Sequence, residues 1–249
     1  MQLRGLRGRA TLPAEKVLIS KEELGESPLW PALAILGAAL LYATMPGRFV
    51  VGPSSGVFSV ARWLVPGLTV VLLVVLLVTP PHGRIVRMVG LHVHQARLGR
   101  RVLVMAMTAL ISAANGAAIV VLVHLLVSGA HTDARELLRA GIHMWCLNVL
   151  VFTLWFWELD QGGPAERREA RPEGRDFLFP QQATPDVGPA GWRPLFLDYL
   201  YVSFTNATAF SPTDTMPLSR WAKMLMLVES AASLVLAIMV AARAINLLK

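Results

Sequence analysis

Glu229 stands about ten residues into the last apolar run of the chain, between Val228 and Ser230. A carboxyl group in such a run is costly, so it marks either an ion or proton path or a buried structural contact. A second set of oxygen-bearing side chains lies just before that run: Thr205, Asn206, Thr208, Ser211, Thr213 and Asp214. This is the densest polar cluster beside an apolar segment. A permeation or binding site would sit there, and a structured turn is its other use. Asn115 and Asn148, each inside an apolar run, suit hydrogen bonds between helices. Asp198 opens a tyrosine-rich stretch where a negative charge suits a helix N-terminus.

No arrangement for covalent or acid–base catalysis accompanies them. The chain has no phosphate loop, no His-Glu-x-x-His and no Gly-x-Ser-x-Gly. Its histidines are scattered, and Cys146 is its single cysteine. That excludes an intrachain disulfide and a cysteine-rich metal site. The expectation is therefore no enzyme, no cofactor and no catalytic or metal-binding residue.

The elements that must position these residues are apolar helices. Of 249 residues, 55% are hydrophobic and 16% charged, against roughly 25% charge in an average soluble domain. The apolar residues gather in runs long enough for a hydrocarbon core of roughly 30 Å. Five strong transmembrane helices are predicted, near 29–45, 58–79, 102–128, 141–157 and 218–248. The fold class is an all-α integral membrane bundle. Its regions are a polar tail over 1–27, a four-helix membrane region over 28–158, a charged Gly/Pro-rich connection over 159–193, and a final unit over 194–249 that ends in the fifth span.

Orientation follows from the basic residues beside the spans. The tail, the connection 80–101 and the connection 158–194 carry five Lys or Arg each, fifteen in all, against four (Arg48, Arg62, Arg135, Arg139) on the alternate side. This predicts a cytoplasmic N-terminus. Residues 84–101, with His92 and His94 two positions apart, read as an amphipathic helix on the inner leaflet. The net charge of +7 then fits anionic lipids of that leaflet as partners and not nucleic acid. Glu158 and Asp160, following the aromatic cluster at 155–157, are expected in the inner headgroup region.

The stretch from Leu197 to Pro217 carries a resemblance. Tyr201, Ser203, Phe204, Thr205, Thr208, Asp214 and Pro217 fall without gaps in the places of the potassium-channel pattern Tyr-x-Ser-Phe-Thr-Thr-x-Thr-Thr-Val-Gly-Tyr-Gly-Asp, which leads through a proline into the inner helix. The likeness covers about 50 residues and implies a pore helix, a filter and an inner helix. Where that pattern has Val-Gly-Tyr-Gly, this chain has Phe210-Ser211-Pro212-Thr213. Pro212 fixes φ, and Ser and Thr adopt the filter's backbone angles poorly, so a potassium-type filter is not expected. The C-terminal 110 or so residues also resemble an uncharacterised family of bacterial multi-span membrane proteins, a domain of unknown function. The shared features are Asp176-Phe177-Leu178-Phe179-Pro180, the segment 201–205, Thr213-Asp214 and Asn246-Leu247. This second likeness implies no established activity or substrate.

The arginine count and the channel likeness disagree on how 194–211 lies. It either crosses as a short, polar sixth span, the arrangement favoured here because an open loop in a bilayer needs protein or water around it, or it dips in and returns. The resulting expectation is a multi-pass protein of the bacterial cytoplasmic (inner) membrane, channel-like, forming a homo-oligomer and lacking the potassium filter. The alternative is a non-conducting structural or interaction protein on a pore-derived scaffold.

Overall fold

The computed structural model describes residues 29–51, 58–78, 93–129, 133–164, 166–168, 174–184, 186, 191–208 and 214–247. The expectations for the tail 1–27, for residues 84–92 of the basic stretch 84–101 and for Phe210, Ser211, Pro212 and Thr213 lie outside them. The described chain is mostly helical. Its elements in order are α1 (Leu29–Thr44), α2 (Gly47–Val51), α3 (Phe58–Val78), α4 (Val93–Val127), α5 (Ala134–Leu159), β1 (Phe177–Leu178), α6 (Pro180–Ala183), α7 (Phe196–Thr208), β2 (Met216–Pro217) and α8 (Arg220–Leu247). Two 3-10 turns, Asp160–Gly162 and Glu166–Arg168, follow α5.

Three helical stretches are long and apolar enough to cross a membrane: Leu98–Val127, Arg135–Gly162 and Arg220–Ala242. Two of the five predicted spans fall short among the described residues. Helix α1 has 16 residues, about 24 Å at 1.5 Å per residue, and of the second span, whose helix runs Phe58–Val78, the stretch with described side chains is Trp63–Val74. Helix α4 begins nine residues before the predicted span because nothing in 93–101 breaks a helix. Its Arg100 and Arg101 extend it beyond the apolar stretch.

Helix α5 is the axis of the bundle. Asp133 caps it, accepting a hydrogen bond from the Arg135 N–H at 3.2 Å, and its apolar stretch is 61% buried, against 17% for that of α8. Helices α1, α4, α7 and α8 all pack on it. At its first turn Glu136 pairs with Arg48 of α2 at 2.6 Å; at its last turn Glu158 faces Arg101 of α4 at 3.7 Å. Helices α1 and α4 therefore run antiparallel to α5. So does α8: Trp221 lies beside the end of α5, Ser233 meets Asn148, and Val240 seats against Gly141. A Cβ at Gly141 would come within 2.6 Å of the Val240 Cγ2, so glycine is what permits the close approach.

Helix α7 runs along only half of the bundle. Helix α7 starts at the end of α5, with Phe196 on Trp157 (ring centroids 5.8 Å), and has descended by Phe204 to Trp145 (5.6 Å), halfway along α5. Its 13 residues span about 20 Å. The chain is then back at the starting end, where Met216 and Pro217 pair antiparallel with Leu178 and Phe177. A crossing would have put the start of α8 at the opposite end. The pairing of β1 with β2 forbids it.

Candidate functional site

Helix α7 is fixed at two levels. At the end of the bundle, Tyr199 is fully buried and its hydroxyl donates to the Asp160 carboxylate. Asp160 Oδ1 also accepts the Asp176 N–H at 3.1 Å. Asp176 in turn accepts the Gln161 N–H (3.0 Å) and the Trp221 indole N–H (2.8 Å). The Phe177 ring packs between Phe156, Tyr199 and Trp221 at centroid distances of 5.3, 6.3 and 5.9 Å. Arg167 donates to the Trp157 and Asp160 carbonyls where α5 ends, the latter also accepting the Gly163 N–H at 2.9 Å, and its guanidinium lies 5.0 Å over the Tyr199 ring.

Glu158 and Asp160 are thus buried in this joint and not spread over a headgroup region. Around them the backbone turns through positive φ at Gln161, Gly162 and Gly163. At Gly163 a Cβ would sit 3.1 Å from the Glu158 carbonyl oxygen, which explains the glycine.

At mid-bundle, Glu229 has no exposed surface. Its Oε1 is bonded by Ser203 and its Oε2 accepts Asn206 Nδ2–H at 2.6 Å. Asn206 also donates to the Met226 carbonyl (2.9 Å) and accepts from Ser230 (3.0 Å). Asn148 of α5 donates to Ser233 (3.0 Å) and to the Glu229 carbonyl (3.3 Å). Helix α7 therefore meets α8 on the Glu229 carboxyl group, α5 joins through the Glu229 backbone carbonyl and Ser233, and the carboxyl makes no ion pair among the described residues. Ser203 Oγ is also 2.8 Å from the Val149 carbonyl, which already accepts from Thr153. One hydroxyl proton serves one acceptor. With Glu229 ionised, Ser203 donates to it; with Glu229 protonated, the acid donates to Ser203 and Ser203 to Val149. Either state closes the network without a counter-charge.

The other predicted residues separate. Thr205 and Thr208 lie half-buried near the lower end of α7, bonded back to the Tyr201 and Thr205 carbonyls at 2.8 and 3.0 Å. Asp214 is exposed on the return segment. Asp198 accepts the Leu195 N–H at 2.7 Å and so caps α7 by reaching back three residues. Asn115 is not part of either level. It is buried in α4, and its Oδ1 has no hydrogen-bond partner among the described residues. Among the described residues no group of three or more His, Cys, Asp or Glu could hold a metal ion.

Ser203, Ser230 and Ser233 escaped the sequence reading because a lone serine in an apolar helix is common. The Asp160–Tyr199 pair, 39 positions apart, has no local signature. No family model, curated protein or solved structure matches the chain. The site is interpreted on its own geometry.

Proposed function

We propose that this is a multi-pass protein of a bacterial cytoplasmic membrane whose α5–α7–α8 unit is a channel-like module. The observation that carries the reading is the placement of 196–208 and 214–217: the half-length helix ends at mid-bundle, and Met216 and Pro217 lie back at the end from which it started. An outer helix, a dipping helix and an inner helix in this order are the parts implied by the potassium-channel likeness of 197–217. The C-terminal turn of α7 directs carbonyl dipoles toward mid-depth, where they favour a cation. The departure at Phe210-Ser211-Pro212-Thr213 argues for a passage without a potassium-type filter.

The positive-inside rule assigns the cytoplasm to the end that carries Arg100, Arg101, Arg193 and Arg220, where anionic lipid headgroups would meet them. The dip then opens from the inner face, and α8 ends outside. Non-helical backbone at membrane depth needs protein or water around it. The exposed Tyr201 and Phe204 of α7 and Leu227 and Val228 of α8 fit contact with further copies of the chain.

The test is cation and anion flux in liposomes together with the mass of the assembly in nanodiscs. Flux above empty vesicles from an oligomer supports the module. A monomer with no flux removes it. One observation favours the second reading, a non-conducting scaffold: Glu229 is sealed inside a single chain and bonded on both oxygens. Labelling of a cysteine at Thr208 by a water-soluble reagent separates the two, because a sealed scaffold leaves it unreacted.

A further inference from the structure

The two levels that hold α7 differ in one respect that bears on how the module moves. The mid-bundle level is made from helix side chains alone. The upper level is made through a strap whose described residues, 160–164, 166–168 and 174–179, are not part of any long helix. Asp176 is its centre. Its carboxylate takes one N–H from Gln161, at the end of α5, and one from Trp221, at the start of α8. Its N–H reaches Asp160, which holds Tyr199 of α7. Its carbonyl accepts the Leu218 N–H at 2.7 Å, and the next two residues form β1 against β2. One residue thus ties together the last turn of α5, the first turn of α7 and the entry to α8.

That tie holds a strained residue. Gln161 is the one non-glycine residue with positive φ among the described residues (φ 53°, ψ 29°). A side chain in that conformation is disfavoured unless its surroundings impose it. Its N–H bond to Asp176 is the contact that does so here. Asp176 is itself only partly buried, so water can compete for its carboxylate. Glu229, without exposed surface, is shielded from that competition. Glycines flank the strap's course at Gly162, Gly163 and Gly174.

We infer that residues 174–179 form a latch, centred on Asp176, that releases the entrance ends of α7 and α8 while the Ser203–Asn206–Glu229–Asn148 level stays closed and acts as the pivot. Release relaxes Gln161 and separates β1 from β2. Control of passage by this latch rests on the channel-like reading above; the latch itself does not.

Hydrogen exchange on the full chain in lipid nanodiscs tests it. In Asp176→Ala, exchange rises about tenfold or more over 174–178 and 216–222 and stays within about twofold over 203–208 and 226–233, as expected of separate opening units. A rise of equal size at both levels, or at neither, overturns the inference. Asp176→Asn, which keeps one carbonyl acceptor, gives a smaller rise confined to the same residues. If Asp176→Ala does not fold, Trp221→Phe removes the indole N–H to Asp176, together with part of the ring packed on Phe177, and must give the same localised pattern. Gln161→Gly, which relieves the strain, slows exchange over 174–178; faster exchange there overturns the role of Gln161. Flux is measured on the same proteins. A localised exchange change with no flux in any variant discards the channel-like reading and leaves the latch standing.

Discussion

The two halves of the bundle are joined by different chemistry. In the first half, the hydroxyls of α1, α3 and α4 bond back to their own helices: Thr44 to Leu40, Thr69 to Val65, Thr108 to Val104, Ser112 to Thr108. Cohesion there is apolar packing, through buried residues such as Ile35, Phe49, Met107 and Ile111. Its polar ties to α5 include Trp155 to Ser112 (2.9 Å) and the two ion pairs at the bundle's ends. In the second half, Asn148, Ser203, Asn206, Ser230 and Glu229 bond across α5, α7 and α8. Apolar packing tolerates a slide of one helix on another. A hydrogen bond between two buried side chains does not, since a slip leaves both groups unsatisfied. The second half is therefore the part whose register is specified, and it is the part that contains the dipping helix.

This contrast can be broken at its strongest point first. Glu229→Lys places an unpaired cation among Ser203, Asn206 and Asn148, with an expected loss of about 3–5 kcal/mol, the cost of an uncompensated buried charge. Thermal unfolding in detergent should show no cooperative transition near that of the parent protein, whereas Glu229→Gln, which keeps acceptor and donor, should retain one.

Next in size is Gly141→Ala, whose Cβ meets Val240 at 2.6 Å. It should cost about 1–3 kcal/mol by overpacking, and Val240→Ala in the same chain should recover most of the loss. Additive losses would show that α5 and α8 do not touch there.

Asn148→Leu removes the bonds to Ser233 and to the Glu229 carbonyl. It should cost about 0.6–1.7 kcal/mol, the range for interhelical bonds in membrane bundles, read as a shift in unfolding by steric trapping. The smallest effect should fall in the first half. Asn115→Leu removes a buried carbonyl oxygen that has no partner among the described residues, so it should be neutral or stabilise by up to about 1 kcal/mol. A loss as large as that of Asn148→Leu would erase the difference between the halves.

Much of this was legible in the chain. Helix existence and type followed from apolar run length, and the choice of Glu229 and Asn148 as residues needing partners followed from the price of polarity in such runs, whereas Asn206 stands out in the sequence only as one of the polar cluster at 205–214. Their meeting was not legible. Asn148 and Glu229 are 81 positions apart, and nothing in a helical period says which neighbour a face will meet. Asp160 and Glu158 looked like residues of a wet boundary because they follow an aromatic cluster. The strap folds over them and removes them from water.

The sequence by itself determined that the chain is helical and apolar, where its helices run, and which few side chains could not be left alone, because burial and periodicity are local properties. Only the tertiary structure decided that 196–208 ends at mid-bundle while 216–217 lie at the end from which it started. Thirteen residues of that composition suit a short crossing equally well, and the choice was made by four residues elsewhere, Phe177 and Leu178 against Met216 and Pro217, whose pairing returns the chain to the end from which it started.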